Sequence, residues 1–144
     1  MLVEIKLFPN RSVKMEMDNG RGMRRRVVVS GMGVVSPNGI GAEAFWQATR
    51  SGVSGVDTIT LFDPAPLPCR IAGEVRGFRP EDYLPPKELK RVARSVPLAI
   101  AAAKEALQSA RVDAEAMTLE EKRSWGVVIG SGGGMPDFVE EQYR

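Results

Sequence analysis

Apolar and polar positions follow each other along this chain with a changing period, and the changes mark its elements. From Arg26 to Val35 the run RVVVSGMGVV is apolar almost throughout and rich in β-branched residues, and Ser36-Pro37-Asn38-Gly39 bounds it. Such a run predicts a strand buried on both faces, in a parallel or mixed sheet covered by helices. The SPNG turn ends it, because proline has no N–H to donate and Asn-Gly favours positive φ. Between Gly41 and Ser51, the residues Ala42, Phe45, Trp46 and Thr49 recur at helical spacing, and Gly52 stops the segment. A short helix packed on the sheet is predicted there.

From Val53 to Leu84 the pattern breaks into loop with scattered prolines. One alternating piece, Cys69 to Val75, predicts a short strand within it. Pro85-Pro86 opens a helical segment from Lys87 to about Ala93, since proline is tolerated in a first turn. Ser95 is placed to cap a second helix with Pro97 in its first turn. Val96, Ile100, Ala103 and Leu107 recur at three- and four-residue steps, thickened by Ala99, Ala101, Ala102 and Ala106. Small residues nearly all round predict a buried central helix. After a polar connection from Asp113 to Arg123, Trp125 to Ile129 (WGVVI) predicts a second strand. It opens into Gly130-Ser131-Gly132-Gly133-Gly134, and a helix is expected from Pro136.

Charge separates the first residues from the rest. The chain carries a net charge of +2, yet residues 1–26 hold seven Lys/Arg against three Asp/Glu, while residues 27–144 hold thirteen against fifteen. Residues 1–23 are expected to be a basic arm, non-native to the fold or disordered, with one alternating stretch from Leu2 to Leu7 and with Met23 as an alternative start. They fit neither a signal nor a transit peptide. Arg24, Arg25 and Arg26 lead into a strand without interleaved aromatics, so they read as a solvated edge, and nucleic acid is not expected as a partner.

Composition narrows the chemistry further. The 144 residues include no histidine and one cysteine, Cys69. Ser-His-Asp and Cys-His catalysis within the chain are thereby removed, as is a Cys/His zinc site. One cysteine cannot close an intramolecular disulfide, which fits a reducing cytosol. The longest apolar runs fall far short of the roughly 20 residues needed to cross a bilayer, so no membrane span is expected.

Two glycine turns invite a nucleotide-binding reading, because N–H groups at a strand-to-helix turn can cradle phosphate. The first, Gly31-Met32-Gly33, lacks a third glycine and runs into proline. The second, Gly130 to Met135, lacks the last glycine of a dinucleotide motif and the Lys-Ser/Thr of a P-loop. Close backbone packing or a turn is the expectation for both. Cys69 has only Arg70 as a nearby cation, across the strand, and is expected to be an inert half-buried thiol. Glu81-Asp82, Glu120-Glu121 and Glu140-Glu141 are sequence neighbours that cannot converge on one substrate atom, and are expected to be solvated charge.

Taken in order, RRVVVSGMGVVSPNGIG (Arg25 to Gly41), FW (Phe45-Trp46), SGVSGV (Ser51 to Val56), FD (Phe62-Asp63), RIAGEV (Arg70 to Val75), AAAKEAL (Ala101 to Leu107) and GVVIGSGGG (Gly126 to Gly134) strongly resemble β-ketoacyl-[acyl-carrier-protein] synthases. The resemblance runs from about Arg24 to Arg144, and its nearest branch is the synthase II type; ketosynthases of polyketide pathways share much of it. It implies an α/β, thiolase-like fold of which this chain holds the amino-terminal part only, an incomplete mixed sheet with packed helices. Residues 24–144 are then a partial amino-terminal ketosynthase domain, ending before the catalytic cysteine.

The implied reaction is decarboxylative condensation of an acyl group, held on a cysteine, with malonyl-carrier protein, assisted by two histidines and without an organic cofactor. The implied partners are acyl carrier protein and acyl thioesters for the completed enzyme, a homodimer of the cytoplasm. Cys69 aligns with a variable position and inherits no role, so no catalytic or cofactor-binding residue is assigned in this chain, and no metal ligand. Gly130 to Gly132 are implied near the acyl pocket. Gly132 and Gly133 are the candidate wall residues, Gly133 standing where synthase II relatives often carry a bulky apolar gate. Ala93-Arg94-Ser95 departs from the polar run that many relatives show. The chain alone is expected to be inactive; the rival expectation is a non-catalytic module for dimerisation or carrier-protein binding that pairs with a complete ketosynthase.

Overall fold

The protein is represented by a computed structural model that describes residues 2–7, through their backbone, together with residues 27–130 and 135–143. The apolar run predicted from Arg26 becomes a strand, β2 (Val28–Ser36). It is flanked antiparallel by β1 (Leu2–Leu7), with a register irregularity between Ile5 and Lys6. On its other side the Pro37-Asn38 turn returns the chain into β3 (Gly39–Ile40), which pairs antiparallel with Val35 and Ser36 only. A second, separate ladder joins β4 (Val56–Thr58) to β5 (Ile71–Gly73), again antiparallel. The expected mixed sheet is thus corrected: every described strand pair is antiparallel. For β2 and β3 the reason is local, because a two-residue turn folds a strand back on its neighbour, whereas a parallel partner requires a long crossover.

Helix α1 (Ala42–Arg50) follows β3 as predicted, and α3 (Ser95–Ser109) crosses β2. Glycine makes that crossing close. A Cβ added at Gly31 or at Gly33 would collide with α3 backbone, at the Ala106 carbonyl and the Ala102 carbonyl respectively. The first glycine motif is therefore a packing device, as the close-packing reading expected. Val35, 2% exposed, meets Ala101 and Ala102 at the centre, with Val75, Phe78, Tyr83 and Leu98 around them. Phe78 and Tyr83 stack with ring centroids 5.3 Å apart.

Several expectations change. β2 is buried on both faces only at Val34 and Val35; before them Gly31 and Gly33 are buried on the α3 side, while Val28, Val29 and Met32 stay exposed. In the same way α3 buries Pro97, Ala101, Ala102 and Ala106 and leaves Lys104 and Gln108 exposed, so it is covered on one side and not centrally buried. Ser95 is not the cap: it is already helical, and the Val96 N–H donates to the Ala93 carbonyl, carrying the preceding turn through Arg94 into α3. The helix expected at 87–93 is the single turn α2 (Pro86–Leu89), preceded by a 3₁₀ turn at Pro80–Asp82.

The connection at 113–123 holds a helix, α4 (Leu119–Arg123), started by a capping box. The Thr118 hydroxyl accepts from the Glu121 N–H, and the Glu121 carboxylate accepts from the Thr118 N–H. Glu121 is therefore a capping residue, not idle solvated charge. The strand expected at Trp125–Ile129 does not form; those residues belong to no strand, and Val127, Val128 and Ile129 are 84%, 99% and 71% exposed. A strand needs a neighbouring edge as well as an apolar pattern. Beyond it, α5 (Pro136–Gln142) starts at the expected proline.

Candidate functional site

The sequence-predicted wall residues Gly132 and Gly133 lie outside the described residues, as does the Arg24 to Arg26 cluster. Gly130 is described, and a side chain added there would meet only open space. Cys69 is exposed rather than half-buried, its thiol donating to the Ile71 carbonyl at 3.6 Å. It lies just before β5 because that ladder is only three residues long. Arg70, its neighbour, turns back into the loop and donates to the carbonyls of Ala65 at 3.0 Å and Leu67 at 3.4 Å. Among the described residues, the hydrogen bonds and ion pairs bring no cation or base to the sulfur.

Two carboxylates that sequence reasoning left unassigned organise this region. Glu105, on α3, reaches across to the sheet: Oε2 accepts from the Val34 N–H at 2.8 Å, and Oε1 accepts from the Ala42 N–H at 2.6 Å. The second bond caps α1, whose N-cap residue Gly41 has no side chain to offer and sits at φ +99°. One side chain thus fastens strand, turn and two helices together. Glu105 also lines an open depression of about 250 Å³ with Val34, Val35, Ile40 and Tyr83. Lys104 stands at its rim with the ammonium 5.5 Å from the Tyr83 ring centroid. The floor is largely apolar and both Glu105 oxygens are committed to backbone N–H groups, so this carboxylate is held as a fastening and is not presented as a base.

Glu74, the residue after β5, performs the second fastening, to the start of the loop that leaves β4. It accepts from the Thr60 N–H at 2.9 Å, the Thr60 hydroxyl at 2.7 Å and the Leu61 N–H at 3.1 Å, with the Arg76 Nε at 3.8 Å. The hydrogen bonds from Thr60, its hydroxyl first, hold the Glu74 carboxyl below its ordinary value of 4.5. Arg76 also donates to Asp57 at 2.9 Å and lowers that carboxyl likewise. A depressed pKa in the folded state contributes stability above the unfolded value and loses it as the pH falls through the folded one. Glu74→Gln is accordingly expected to be less stable than the unsubstituted chain at pH 7. The gap should shrink below about pH 4.5. Urea unfolding at a series of pH values measures it; a gap that is independent of pH contradicts this role for the carboxylate.

Comparison with known proteins places the chain. The family model described as "Beta-ketoacyl synthase, N-terminal domain" matches residues 24–143. The chain is 37% identical over 118 residues to 3-oxoacyl-[acyl-carrier-protein] synthase I, chloroplastic, of Arabidopsis thaliana, a match covering 81% of this chain and 25% of that protein. It is 40% identical over 115 residues to 3-oxoacyl-[acyl-carrier-protein] synthase 2 of Staphylococcus aureus (strain COL), covering 79% of this chain and 27% of that one. A putative polyketide beta-ketoacyl synthase 2 of Streptomyces cyaneus is 38% identical over 127 residues, 88% of this chain and 30% of its own. Among solved structures, the ishigamide ketosynthase/chain length factor is similar with a TM-score of 0.57 and 35% identity, over 65% of this chain and 23% of that chain. The chain therefore spans between 25% and 30% of the length of these curated relatives.

Proposed function

Since the chain belongs to the β-ketoacyl synthase family and carries its N-terminal domain, we propose that it supplies the amino-terminal framework of a 3-oxoacyl-[acyl-carrier-protein] synthase. The reaction served is decarboxylative condensation of an acyl thioester with malonyl-carrier protein in fatty-acid elongation, on a thiolase-like scaffold in the cytoplasm. The carrying observation is the match over residues 24–143 in a chain without histidine. The nucleophilic cysteine and the two histidines that assist it are contributed by residues outside these 144. What the chain contributes is position: α3 pressed on β2 through glycine, and Glu105 fixing the turn into α1. Gly130 to Gly132 border the acyl pocket, and Gly133 leaves open the place where a bulky apolar gate stands in synthase II relatives.

The test is a chimera in which residues 24–143 replace the matched quarter of the Staphylococcus aureus synthase 2. Condensation of an acyl group with malonyl-carrier protein by the chimera is expected, with acceptance of longer acyl chains than the parent because no gate stands at Gly133. A folded chimera without turnover contradicts the proposal.

Two observations favour a second reading, a non-catalytic module that pairs with a complete ketosynthase: Val127, Val128 and Ile129 are exposed, and one similar solved structure is the ishigamide ketosynthase/chain length factor. Co-migration of this chain with a full-length synthase on a sizing column supports that reading, and independent migration counts against it.

A further inference from the structure

β1 stands outside the residues 24–143 that carry the family match, and it forms the edge of its sheet. The strand order is β1-β2-β3, and among the described residues β1 pairs with β2 alone. The irregularity of that ladder leaves β1 itself regular. Ile5 faces Gly31 and Lys6 faces Val29, so the residue passed over is Ser30 of β2. The outer edge of β1 is thus an even row of six residues, half of whose N–H and C=O groups point away from β2. It has no proline and no bulge to blunt it, and its charged residues are Glu4 and Lys6.

Those two charges select a partner, because Leu-Val-Glu-Ile-Lys-Leu complements itself when reversed. Laid antiparallel on a second copy with Ile5 opposite Ile5, β1 sets Glu4 opposite Lys6 at two places and Val3 opposite Leu7 at two more. Opposite charges and apolar pairs facing across a ladder both stabilise it. A slip of two residues sets Glu4 against Glu4, or Lys6 against Lys6, and like charges directly opposite destabilise. A slip of one sets charged residues against apolar ones and turns one sheet over relative to the other. The even register also keeps Val3 and Ile5 at positions on the α3 face, since they stand opposite Gly33 and Gly31, on which α3 packs. Both α3 helices then lie on one face of a continuous sheet. The two β2 strands are three strand spacings apart, about 14 Å, which leaves room for two helices at their usual separation of about 8–10 Å. The other open edge, β2 from Val28 to Gly33 beyond its short pairing with β3, carries no charged residue that would select such a match.

We infer that β1 is a docking edge for a second copy of this chain: two β1 strands pair antiparallel about a two-fold axis at Ile5, with Glu4 and Lys6 of each copy opposite Lys6 and Glu4 of the other. A two-fold contact of this kind closes on itself, so assembly stops at the dimer. Such a dimer does not depend on the synthase reading, because β1 lies outside the matched residues.

Sedimentation equilibrium of the full chain tests it from about 1 μM to 1 mM, the span in which a small interface forms and dissociates. The unsubstituted chain is expected to pass from monomer to dimer and no further. Glu4→Lys and Lys6→Glu each place like charges at both pairs, and each is expected to weaken the dimer by about 10-fold. An equimolar mixture of the two variants is expected to regain it as a heterodimer, and the double variant Glu4→Lys with Lys6→Glu is expected to regain it alone. A monomer throughout the range overturns the inference. Dimerisation indifferent to both single variants also does, as does failure of the mixture and of the double variant to restore what the single variants lose. Assemblies that keep growing with concentration overturn it as well, for β1 would then be adding to the open edge of β2 on another copy.

Discussion

Glu105→Ala is expected to destabilise the chain by about 2–4 kcal/mol, the loss of two hydrogen bonds to a charged acceptor. The two donors differ in what happens afterwards. Val34 is buried, and its N–H has no other described acceptor to turn to on that edge, since β3 ends its pairing at Val35. A buried donor left unsatisfied carries the full desolvation penalty. Ala42 N–H lies in the first turn of α1, where the end of the helix dipole favours a carboxylate, and water can replace part of that bond. Glu105→Gln retains an acceptor for one donor but turns an amide N–H₂ toward the other, so about half the loss is expected. Urea unfolding followed by circular dichroism gives both numbers. Glu88→Ala, on the exposed face of α2, serves as the reference and should shift stability by no more than about 0.5 kcal/mol. An effect of Glu105→Ala as small as that would remove the carboxylate from the account of the fold.

Gly33→Ala should cost about 3 kcal/mol, at the upper end of what overpacking does. The added methyl would fall on the Ala102 carbonyl and within 2.8 Å of the Ala106 N. Both are helix backbone, so no side chain can swing aside; α3 must lift from β2. Lifting it opens the contact of Val35 with Ala101 and Ala102, which is the centre of the core. Gly31→Ala strikes the same helix one turn further on and should act alike. Gly126→Ala meets nothing within 4 Å and is the control, expected to be neutral or slightly stabilising through the unfolded state. Equal midpoints for Gly33→Ala and Gly126→Ala in denaturant would contradict the close approach of helix and strand.

These two residues show what the sequence made legible and what it hid. β2, α1 and α3 follow from apolar periodicity and their bounding turns, because each pattern is local. The glycines of Gly31-Met32-Gly33 were legible as a packing device once they failed as a phosphate loop. Glu105 was not, for its partners lie 71 and 63 residues away in the chain. A signal existed: Glu105 stands four residues after buried Ala101 and next to buried Ala106, so it interrupts the covered stripe of α3. A carboxylate in such a place must find donors. The capping box of Thr118 and Glu121 was written in plain spacing, yet the polar composition around it concealed a helix of five residues.

The error at Trp125–Ile129 has a different origin. β-propensity states that a segment suits a sheet, and only the tertiary arrangement decides whether an edge is free to receive it. Here β1 holds an edge of β2, and the segment stays exposed. Gly132 and Gly133, the wall residues proposed above, follow closely after that segment in the chain.

The most direct test of the central claim, that this chain frames acyl condensation while the reacting groups stand elsewhere, is a condensation assay of the 144-residue chain by itself. Purified chain is given an acyl thioester and malonyl-carrier protein, and carbon dioxide release is followed beside an enzyme-free blank. A rate equal to the blank, with Cys69 free of acyl by mass, is the result expected. Turnover above the blank that disappears in Cys69→Ser would contradict it.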